Sequence, residues 1–312
     1  MSDANPLDPV RFDAQGASPE LRDMAEKIAA AAPPADVRVE DPVAFAQVAR
    51  AALDAPGSPW NLGGGECARA ETREIAGPAG PIALRVIPPR GDARGVMLHI
   101  HGGGWFVGSA DMSDRLNEAM SDALDVAVVS VEYRLAPESP WPAAPDDCEA
   151  AAVWLLENAA RELGSDALLI GGESAGAHLA AATLLRLRDR HGFTDVRAAN
   201  LVYGVYDLVG TPSRGGDTFI SDLFVPEGVD RRDPDVSPLY ADLADLAPAI
   251  FTVGSVDSLL DDTLFMHARY AAAGNATALE VFPGAPHGFD SFPVPEAATA
   301  RGRMHAFLGE RL

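Results

Sequence analysis

From Cys67 onward, short apolar runs alternate with longer stretches that have the periodicity of helices, and Gly and Pro bound most of the runs. Strands that alternate with helices form a mostly parallel sheet that is covered on both faces. The alternation therefore predicts an α/β fold with about eight strands, the first two of which form an antiparallel edge hairpin because no helix separates them. The predicted strands are residues 68–74, 82–87, 95–100, 126–131, 167–170, 199–202, 249–253 and 278–281, and the predicted helices between them are 112–124, 145–163, 175–189, 260–273 and 296–308.

Two segments depart from this alternation and predict a helical cap. Residues 1–60 contain two helical stretches, 19–32 and 41–53, before the first strand. Residues 207–238 are rich in Gly, Pro and Asp without a clear strand, and insertions of this length are commonly functional loops. We expect both segments to form a cap on a catalytic domain that spans 61–312. For the amino-terminal segment, the alternative is a packed extension that has no function.

The chain is strongly acidic, with 46 Asp and Glu against 24 Lys and Arg, which gives a formal charge of −22 at pH 7. Because such a surface repels the phosphate backbone, we expect no nucleic-acid partner. The amino terminus lacks the basic start and apolar stretch of a signal peptide, and no apolar run approaches the roughly 18 residues of a membrane span. The 2 cysteines are too few for a disulfide framework. The composition therefore predicts a cytoplasmic protein without a membrane span.

A candidate nucleophile lies between a predicted strand and a predicted helix. The strand 167–170 runs into Gly-Gly-Glu-Ser-Ala-Gly at 171–176, and the helix follows at once. In this context G-x-S-x-G is the pattern of a nucleophile elbow, where the serine occupies a strained turn and flanking glycines remove steric clashes. The start of a helix also favours developing negative charge. Ser174 is therefore the candidate nucleophile.

A serine hydroxyl needs a base to take its proton and an acid to orient that base. Chains with this elbow carry them in the order nucleophile, acid, histidine. Asp257 and His287 follow two later predicted strands, so both leave the carboxyl edge of the sheet, where sites form. Asp261 and Asp262 are rival acids, but they fall inside the next predicted helix.

A glycine-rich loop supplies the remaining part of the predicted site. His-Gly-Gly-Gly-Trp at 101–105 follows the strand 95–100. Three consecutive glycines allow backbone N–H groups to point at a ligand oxygen, and such a loop donates to the oxyanion together with the residue after the nucleophile, here Ala175.

These motifs resemble those of the hormone-sensitive-lipase-like esterases, the bacterial family IV carboxylesterases of the α/β-hydrolase fold. The resemblance runs from about Gly95 to the carboxyl end and includes 101–104, Tyr-Arg-Leu-Ala-Pro-Glu at 133–138, the elbow and His-Gly-Phe at 287–289. It implies a triad of Ser174, Asp257 and His287, and oxyanion-hole donors Gly103, Gly104 and Ala175. It also implies that His101 braces the glycine loop.

The resemblance implies hydrolysis of short- to medium-chain carboxylic esters through a covalent acyl-enzyme, with no metal or organic cofactor. It further implies a homodimer formed through the last strand and the neighbouring helix. Amide or lactone hydrolysis and transacylation use the same machinery and stay open. A ligand receptor built on the same fold is disfavoured because His287 is present. Aromatic and apolar candidates for the acyl pocket, each of which has a core position as its alternative, are Trp105, Phe106, Phe219, Leu223 and Phe224.

One position departs from the family pattern. The residue before the nucleophile is commonly Asp in the family, whereas this chain has Glu173. The extra methylene is expected to change the hydrogen bonds that support the elbow, and with them efficiency or specificity, without a change of reaction.

Overall fold

An eight-stranded sheet forms the centre of the computed structural model, which describes residues 7–31, 41–55, 58, 67–215 and 218–312. The strands are β1 Glu71–Gly77, β2 Gly80–Ile87, β3 Gly95–Ile100, β4 Val126–Val131, β5 Leu168–Glu173, β6 Ala198–Val202, β7 Ala249–Gly254 and β8 Thr277–Phe282. Their order in the sheet is β1-β2-β4-β3-β5-β6-β7-β8, and β2 pairs antiparallel with both β1 and β4 while all other pairs are parallel. The α/β fold predicted from the sequence, including the antiparallel edge hairpin, is therefore confirmed.

Helices cover both faces of the sheet. On one face, helices α3 (Asp114–Leu124) and α8 (Pro295–Gly309) pack against each other, and Met97 and Ile250 belong to the smaller apolar cluster there. On the other face, helices α4 (Ala143–Leu163) and α5 (Ala175–His191) pack together, and Leu98 and Ile170 belong to the larger apolar cluster. The α-helices are α1 Pro19–Ala31, α2 Pro42–Asp54, α3 Asp114–Leu124, α4 Ala143–Leu163, α5 Ala175–His191, α6 Phe219–Phe224, α7 Leu260–Ala272 and α8 Pro295–Gly309.

Two predicted boundaries differ from the structure for identifiable reasons. The first strand starts at Glu71 rather than at residue 68, because the Ala70 N–H donates to the Cys67 carbonyl at 2.9 Å and closes a turn. The strand before the elbow extends to Glu173, three residues beyond the predicted end. Its last residues pair with β6, with Gly171 opposite Asn200, and this tertiary pairing outweighs the low strand propensity of glycine.

The predicted cap segments lie partly outside the described residues. The parts of the two segments that the structure does not describe are residues 1–6, 32–40, 56–57, 59–60 and 216–217. Within the described part, Asp41 begins α2 as its N-cap and accepts hydrogen bonds from the N–H groups of Val43 and Ala44. The described part of 207–238 holds α6, the 3-10 helix Pro212–Arg214 and the first residue of a second 3-10 helix, Pro238–Tyr240, and it holds no strand. The ring of Phe45 on α2 contacts that of Phe219 on α6 at 5.0 Å between centroids, so the two segments meet.

None of the helices in the described ranges combines the length and the apolar character that crossing a membrane requires.

Candidate active site

Ser174 occupies a sharp turn between β5 and α5. Its backbone has φ 57° and ψ −119°, a conformation that residues with a side chain rarely adopt. A Cβ atom at Gly172 or Gly176 would lie 2.2 or 1.9 Å from the carbonyl oxygen of Ile100, so only glycine allows β3 to approach the turn this closely. The Ser174 N–H donates to the Val202 carbonyl at 2.9 Å. These contacts hold the side chain at the carboxyl edge of the sheet.

His287 and Asp257 lie beside this serine. The His287 Nε2 atom is 3.0 Å from the Ser174 Oγ atom, and its Nδ1 atom is 2.9 Å from Asp257 Oδ2 and 3.1 Å from Oδ1. Asp257 is only 3% exposed. Burial lowers the pKa of His287, but the Asp257 carboxylate outweighs burial and raises that pKa above 6.5. The three side chains form one continuous hydrogen-bonded chain.

The two rival acids have other partners. Asp261 accepts a hydrogen bond from the Ser213 N–H at 2.8 Å. Asp262 is buried and accepts from the backbone N–H groups of Tyr206 and Asp207, at 2.8 and 2.9 Å. Both carboxylates therefore connect α7 to the segment that follows β6, and neither is hydrogen-bonded to His287.

The glycine loop passes over the elbow. Gly103 and Gly104 have φ of 106° and 58° and line the same cavity as Ser174. A Cβ atom at position 103 would lie only 2.1 Å from the Val107 carbonyl oxygen. The tight turn therefore has room for glycine alone at this position. Ala175 is the first residue of α5, where backbone N–H groups have no partner within the helix. Among the described residues, none of these three N–H groups donates a hydrogen bond.

A buried pair of rings supports this loop from below. His101 stacks on Tyr133 with centroids 4.1 Å apart, and the Tyr133 hydroxyl donates to the His101 carbonyl at 2.9 Å. Burial lowers the pKa of His101 to about 4, so its ring is neutral, and Nδ1 donates to the Gly102 carbonyl at 2.8 Å. From the other side, Arg50 of α2 donates to the carbonyls of Phe106 and Ala136, both at 2.8 Å.

Glu173 joins the elbow to the glycine loop. Its Oε2 atom is 3.0 Å from His99 Nε2, and Oε1 accepts from the Ser113 hydroxyl at 3.0 Å and from the Gly102 N–H at 3.4 Å. Burial raises the pKa of Glu173, but the contacts with His99 and Ser113 outweigh burial and lower that pKa below 4.5. The carboxylate is therefore charged and bound on both oxygens.

The site opens into a cavity of about 660 Å³. Phe106 lines it, together with Phe45, Ala49 and Leu53 of α2 and Ile220 of α6. The other predicted pocket residues do not line it, so their placement in an acyl pocket needs correction: Trp105, Phe219, Leu223 and Phe224.

Packing explains the different position of these aromatic residues. Trp105 is only 2% exposed, and its side chain is buried away from the cavity. Its ring stacks on Phe224 at 4.6 Å, and its Nε1–H donates to His178 Nδ1 at 3.1 Å. Phe219 packs edge-on against Phe45. These residues hold the segment after β6 against α2 and α5.

Two residues beside His287 are missing from the sequence-based site. The Tyr203 ring contacts the His287 ring at 4.7 Å, and its hydroxyl donates to Asp290 Oδ1 at 2.5 Å. Burial raises the pKa of Asp290 to about 6. The position of Asp290, three residues after His287, is the one signal that the sequence offers for it.

No group of three or more His, Cys, Asp or Glu residues within the described part of the chain could hold a metal ion.

Comparison with known proteins places the chain in a family. A family model described as alpha/beta hydrolase fold matches residues 97–291. The carboxylic ester hydrolase LipN of Mycobacterium tuberculosis is 35% identical over 69% of this chain, and the chain spans 62% of its length, somewhat less than two thirds. The carboxylesterase NlhH of the same organism is 34% identical over 74% of this chain and 78% of its own length.

Solved structures of esterases have the same fold as this chain. An esterase of Pyrobaculum calidifontis superposes with a TM-score of 0.80 and 28% identity, covering 94% of this chain and 98% of the esterase. The family model, the named relatives and the superposed structure indicate the same family. The chain belongs to the alpha/beta hydrolase family, within its hormone-sensitive-lipase-like carboxylic ester hydrolases.

Proposed function

We propose that this protein is a serine carboxylesterase that hydrolyses short- to medium-chain carboxylic esters through a covalent acyl-enzyme. The observation that carries the proposal is the hydrogen-bonded chain from Asp257 through His287 to Ser174, at the wall of a cavity large enough for a small ester. Ligand pockets for small molecules commonly enclose ~300–1,000 Å³, and the cavity lies inside that range.

In the first step, His287 Nε2 takes the proton of the Ser174 hydroxyl while Oγ attacks the ester carbonyl carbon. The carbonyl oxygen becomes an oxyanion, which the N–H groups of Gly103, Gly104 and Ala175 stabilise. Asp257 accepts the Nδ1–H of His287, which fixes the tautomer and stabilises the ring once it is charged. The carbon–oxygen bond to the alcohol then breaks, and the leaving oxygen takes the proton from Nε2.

In the second step, water replaces the alcohol. His287 removes a proton from that water, hydroxide adds to the acyl carbon, and the tetrahedral intermediate collapses with the return of the proton to Ser174 Oγ. The carboxylic acid is released and the enzyme is regenerated. Both steps use side chains, backbone N–H groups and water alone.

The cap segments are assigned the role of selecting the ester. Leu53 and Phe45 on α2 and Ile220 on α6 line the cavity and give its mouth an apolar wall. Arg50 fixes α2 to the glycine loop, so a change in the position of α2 changes the space above the oxyanion hole. This arrangement supports a cap that acts on chain-length preference more than on the chemical step.

The homodimer implied by the family resemblance stays a prediction. Among the described residues β8 pairs with β7 alone, so its other edge has no strand partner. Light scattering in solution tests the dimer: a mass close to the 32.7 kDa of one chain contradicts it, and twice that mass supports it.

Initial rates on p-nitrophenyl esters from acetate to palmitate test the proposed function, with Ser174→Ala as the matched control. We expect a maximum at short to medium acyl chains in the unmodified protein, and no turnover above background in the variant. Absence of hydrolysis of every ester by folded protein contradicts the proposal and favours an amide or lactone substrate. Equal rates in the variant contradict the assignment of the nucleophile.

A further inference from the structure

The glycine loop keeps a left-handed backbone at three consecutive residues, and the third of them is not a glycine. Gly103 and Gly104 have φ of 106° and 58°, and Trp105 has φ 65°. This conformation is strained for a residue with a bulky side chain, and such strain persists only where the surrounding structure holds it. The contacts of Trp105 therefore fix the path of the loop that carries two of the proposed oxyanion-hole donors.

Trp105 is held both by its main chain and by its ring. Its carbonyl accepts a hydrogen bond from the Ala136 N–H at 2.9 Å, and its ring stacks on that of Phe224 at 4.6 Å between centroids. The one polar atom of the indole, Nε1, can only donate, and it donates to His178 Nδ1 at 3.1 Å. Because Trp105 is only 2% exposed, loss of this acceptor would leave a buried donor without a partner.

The two partners of His178 leave its ring a single tautomer. The Nε2 atom lies 2.9 Å from the Val236 carbonyl oxygen, which can only accept, so Nε2 carries the proton. The Nδ1 atom is then free to accept from the Trp105 indole. His178 is fully buried, and burial lowers its pKa to about 4, so the ring is neutral at neutral pH. The ring therefore accepts one hydrogen bond from Trp105 and donates one to Val236.

The carbonyl that orients His178 is itself fixed to α5. Val236 follows Asp235, whose two carboxylate oxygens accept from the Nε and Nη2 atoms of Arg186 at 2.6 Å each. Arg186 is buried and lies eight residues after His178, which is about two turns of the same helix. Helix α5 thus holds both the His178 ring and the group that selects its tautomer.

His178 also lies close in the chain to the nucleophile. Ser174 is the N-cap of α5, Ala175 is the first helical residue, and His178 is three positions later, on the same side of the helix. One end of α5 therefore carries the Ala175 N–H and the acceptor for Trp105, the residue after Gly104. An oxyanion hole works only when its donors converge on one oxygen atom, so the loop and the helix must keep a fixed relative position.

We propose that His178 is a positioning residue for the oxyanion hole, which it serves by binding the Trp105 indole and so fixing the glycine loop to the start of α5. The inference rests on the proposed function. His178 does not line the cavity, so its loss should slow the chemical steps without weakening the binding of the ester. Both steps form an oxyanion, so kcat depends on this alignment whichever of them limits the rate.

The test measures hydrolysis of p-nitrophenyl butyrate by variants of the full chain. His178→Leu removes the acceptor, Trp105→Phe removes the donor and keeps an aromatic ring for the stack, and a third variant carries both changes. In His178→Asn the side-chain oxygen replaces Nδ1 and can accept from the indole. Each kcat is divided by the concentration of serine that an organophosphonate labels to completion, so that inactive protein does not contribute.

We expect His178→Leu and Trp105→Phe each to lower kcat about tenfold, with KM changed by less than about twofold. This loss is smaller than the roughly 10²–10³-fold effect of removing a whole oxyanion-hole donor, because the N–H groups are displaced and not deleted. Since both changes break the same hydrogen bond, the double variant should also lose about tenfold, not about 100-fold. His178→Asn should keep kcat within about threefold of the unmodified protein.

An inhibitor provides a second readout of the oxyanion hole. When Ser174 Oγ bonds to the carbonyl carbon of butyl trifluoromethyl ketone, the carbonyl π electrons move to oxygen and the serine proton goes to His287 Nε2. The adduct therefore carries the oxyanion without a leaving group. Its Ki should rise about tenfold in His178→Leu, in step with the loss of kcat.

His267→Leu is the matched control. The His267 ring lies on α7, packs edge-on against Phe251 at 5.6 Å between centroids and does not line the cavity. We expect the same kcat and Ki as in the unmodified protein.

A kcat in His178→Leu within about threefold of the unmodified value overturns the proposal, and so does a loss of about 100-fold in the double variant. An unchanged Ki, or His178→Asn as slow as His178→Leu, also overturns it. Where His178→Leu does not fold, Trp105→Phe is held to the same limits on kcat and Ki. In each of these cases hydrolysis by the unmodified protein leaves the proposed esterase function standing, whereas no hydrolysis by the unmodified protein overturns both.

Discussion

Replacement of Glu173 tests whether the link between elbow and glycine loop stabilises the fold and the site together. Glu173→Ala leaves His99 Nε2 and the Ser113 hydroxyl without the acceptors that they contact at 3.0 Å each. Glu173→Gln keeps an acceptor for one of them and places an amide N–H₂ opposite the other. The exposed Glu74 on β1 provides the control, because Glu74→Gln changes the net charge equally.

The magnitude follows from these two contacts. A hydrogen bond to a charged group contributes about 1.5–3 kcal/mol. The Glu173 side chain is 22% exposed, so water replaces part of the loss. We therefore expect about 2–4 kcal/mol less stability for Glu173→Ala and about half of that for Glu173→Gln. With an unfolding entropy near 2.1 cal/mol/K per residue, this lowers the Tm of the Ala variant by about 3–6 °C.

Differential scanning calorimetry measures the Tm. The kcat for p-nitrophenyl butyrate measures how far the glycine loop still stabilises the oxyanion. We expect kcat to fall about tenfold in Glu173→Ala, because the loop loses its contact through the Gly102 N–H. The pKa of Glu173 is lower in the folded protein than the ordinary value of 4.5. The charged carboxylate therefore stabilises the folded state at pH values above 4.5, and this stabilisation is lost as the pH falls through the lowered pKa. The Tm difference between unmodified protein and Glu173→Gln should therefore close in acid. A Tm for Glu173→Ala equal to that of Glu74→Gln at neutral pH refutes the reasoning.

Three further predictions concern the reacting groups. Asp257→Asn should lower kcat by about 10⁴ because the histidine then adopts the wrong tautomer, whereas Asp261→Asn should keep most activity; the reverse result in steady-state kinetics would identify Asp261 as the acid. Gly103→Ala places a Cβ 2.1 Å from the Val107 carbonyl oxygen, and we expect kcat to fall at least about 100-fold with a smaller change in KM; an unaltered kcat would remove this glycine from the oxyanion hole. Because His287 acts as a base only when neutral and its pKa is raised above 6.5, kcat/KM should rise with pH through that raised pKa, and a flat profile across the neutral range contradicts its role.

The strands and the surroundings of the nucleophile could be predicted because their signals are local. The apolar run of β4, residues 126–131, shows strand character without reference to the rest of the chain, and its bounds match the structure. At the elbow, Gly172 and Gly176 are required by the approach of β3, and that requirement is visible as a motif in the sequence.

Positions that depend on tertiary packing could not be predicted in the same way. Trp105 follows the glycine loop, and only the folded structure shows that its ring is buried and stacks on Phe224, which lies 119 positions later in the chain. Tyr203 lies on a different element from Asp290, and the hydrogen bond between them joins residues 87 positions apart.

Covalent labelling tests whether Ser174 is the nucleophile of an active hydrolase. An organophosphonate probe reacts with a serine that is activated by a neighbouring histidine, and mass spectrometry of the digested protein locates the label. We predict a single labelled peptide that contains Ser174, and no labelled peptide in Ser174→Ala. A label on another residue, or labelling of Ser174→Ala to the same extent as the unmodified protein, would contradict the assignment of Ser174 as the nucleophile.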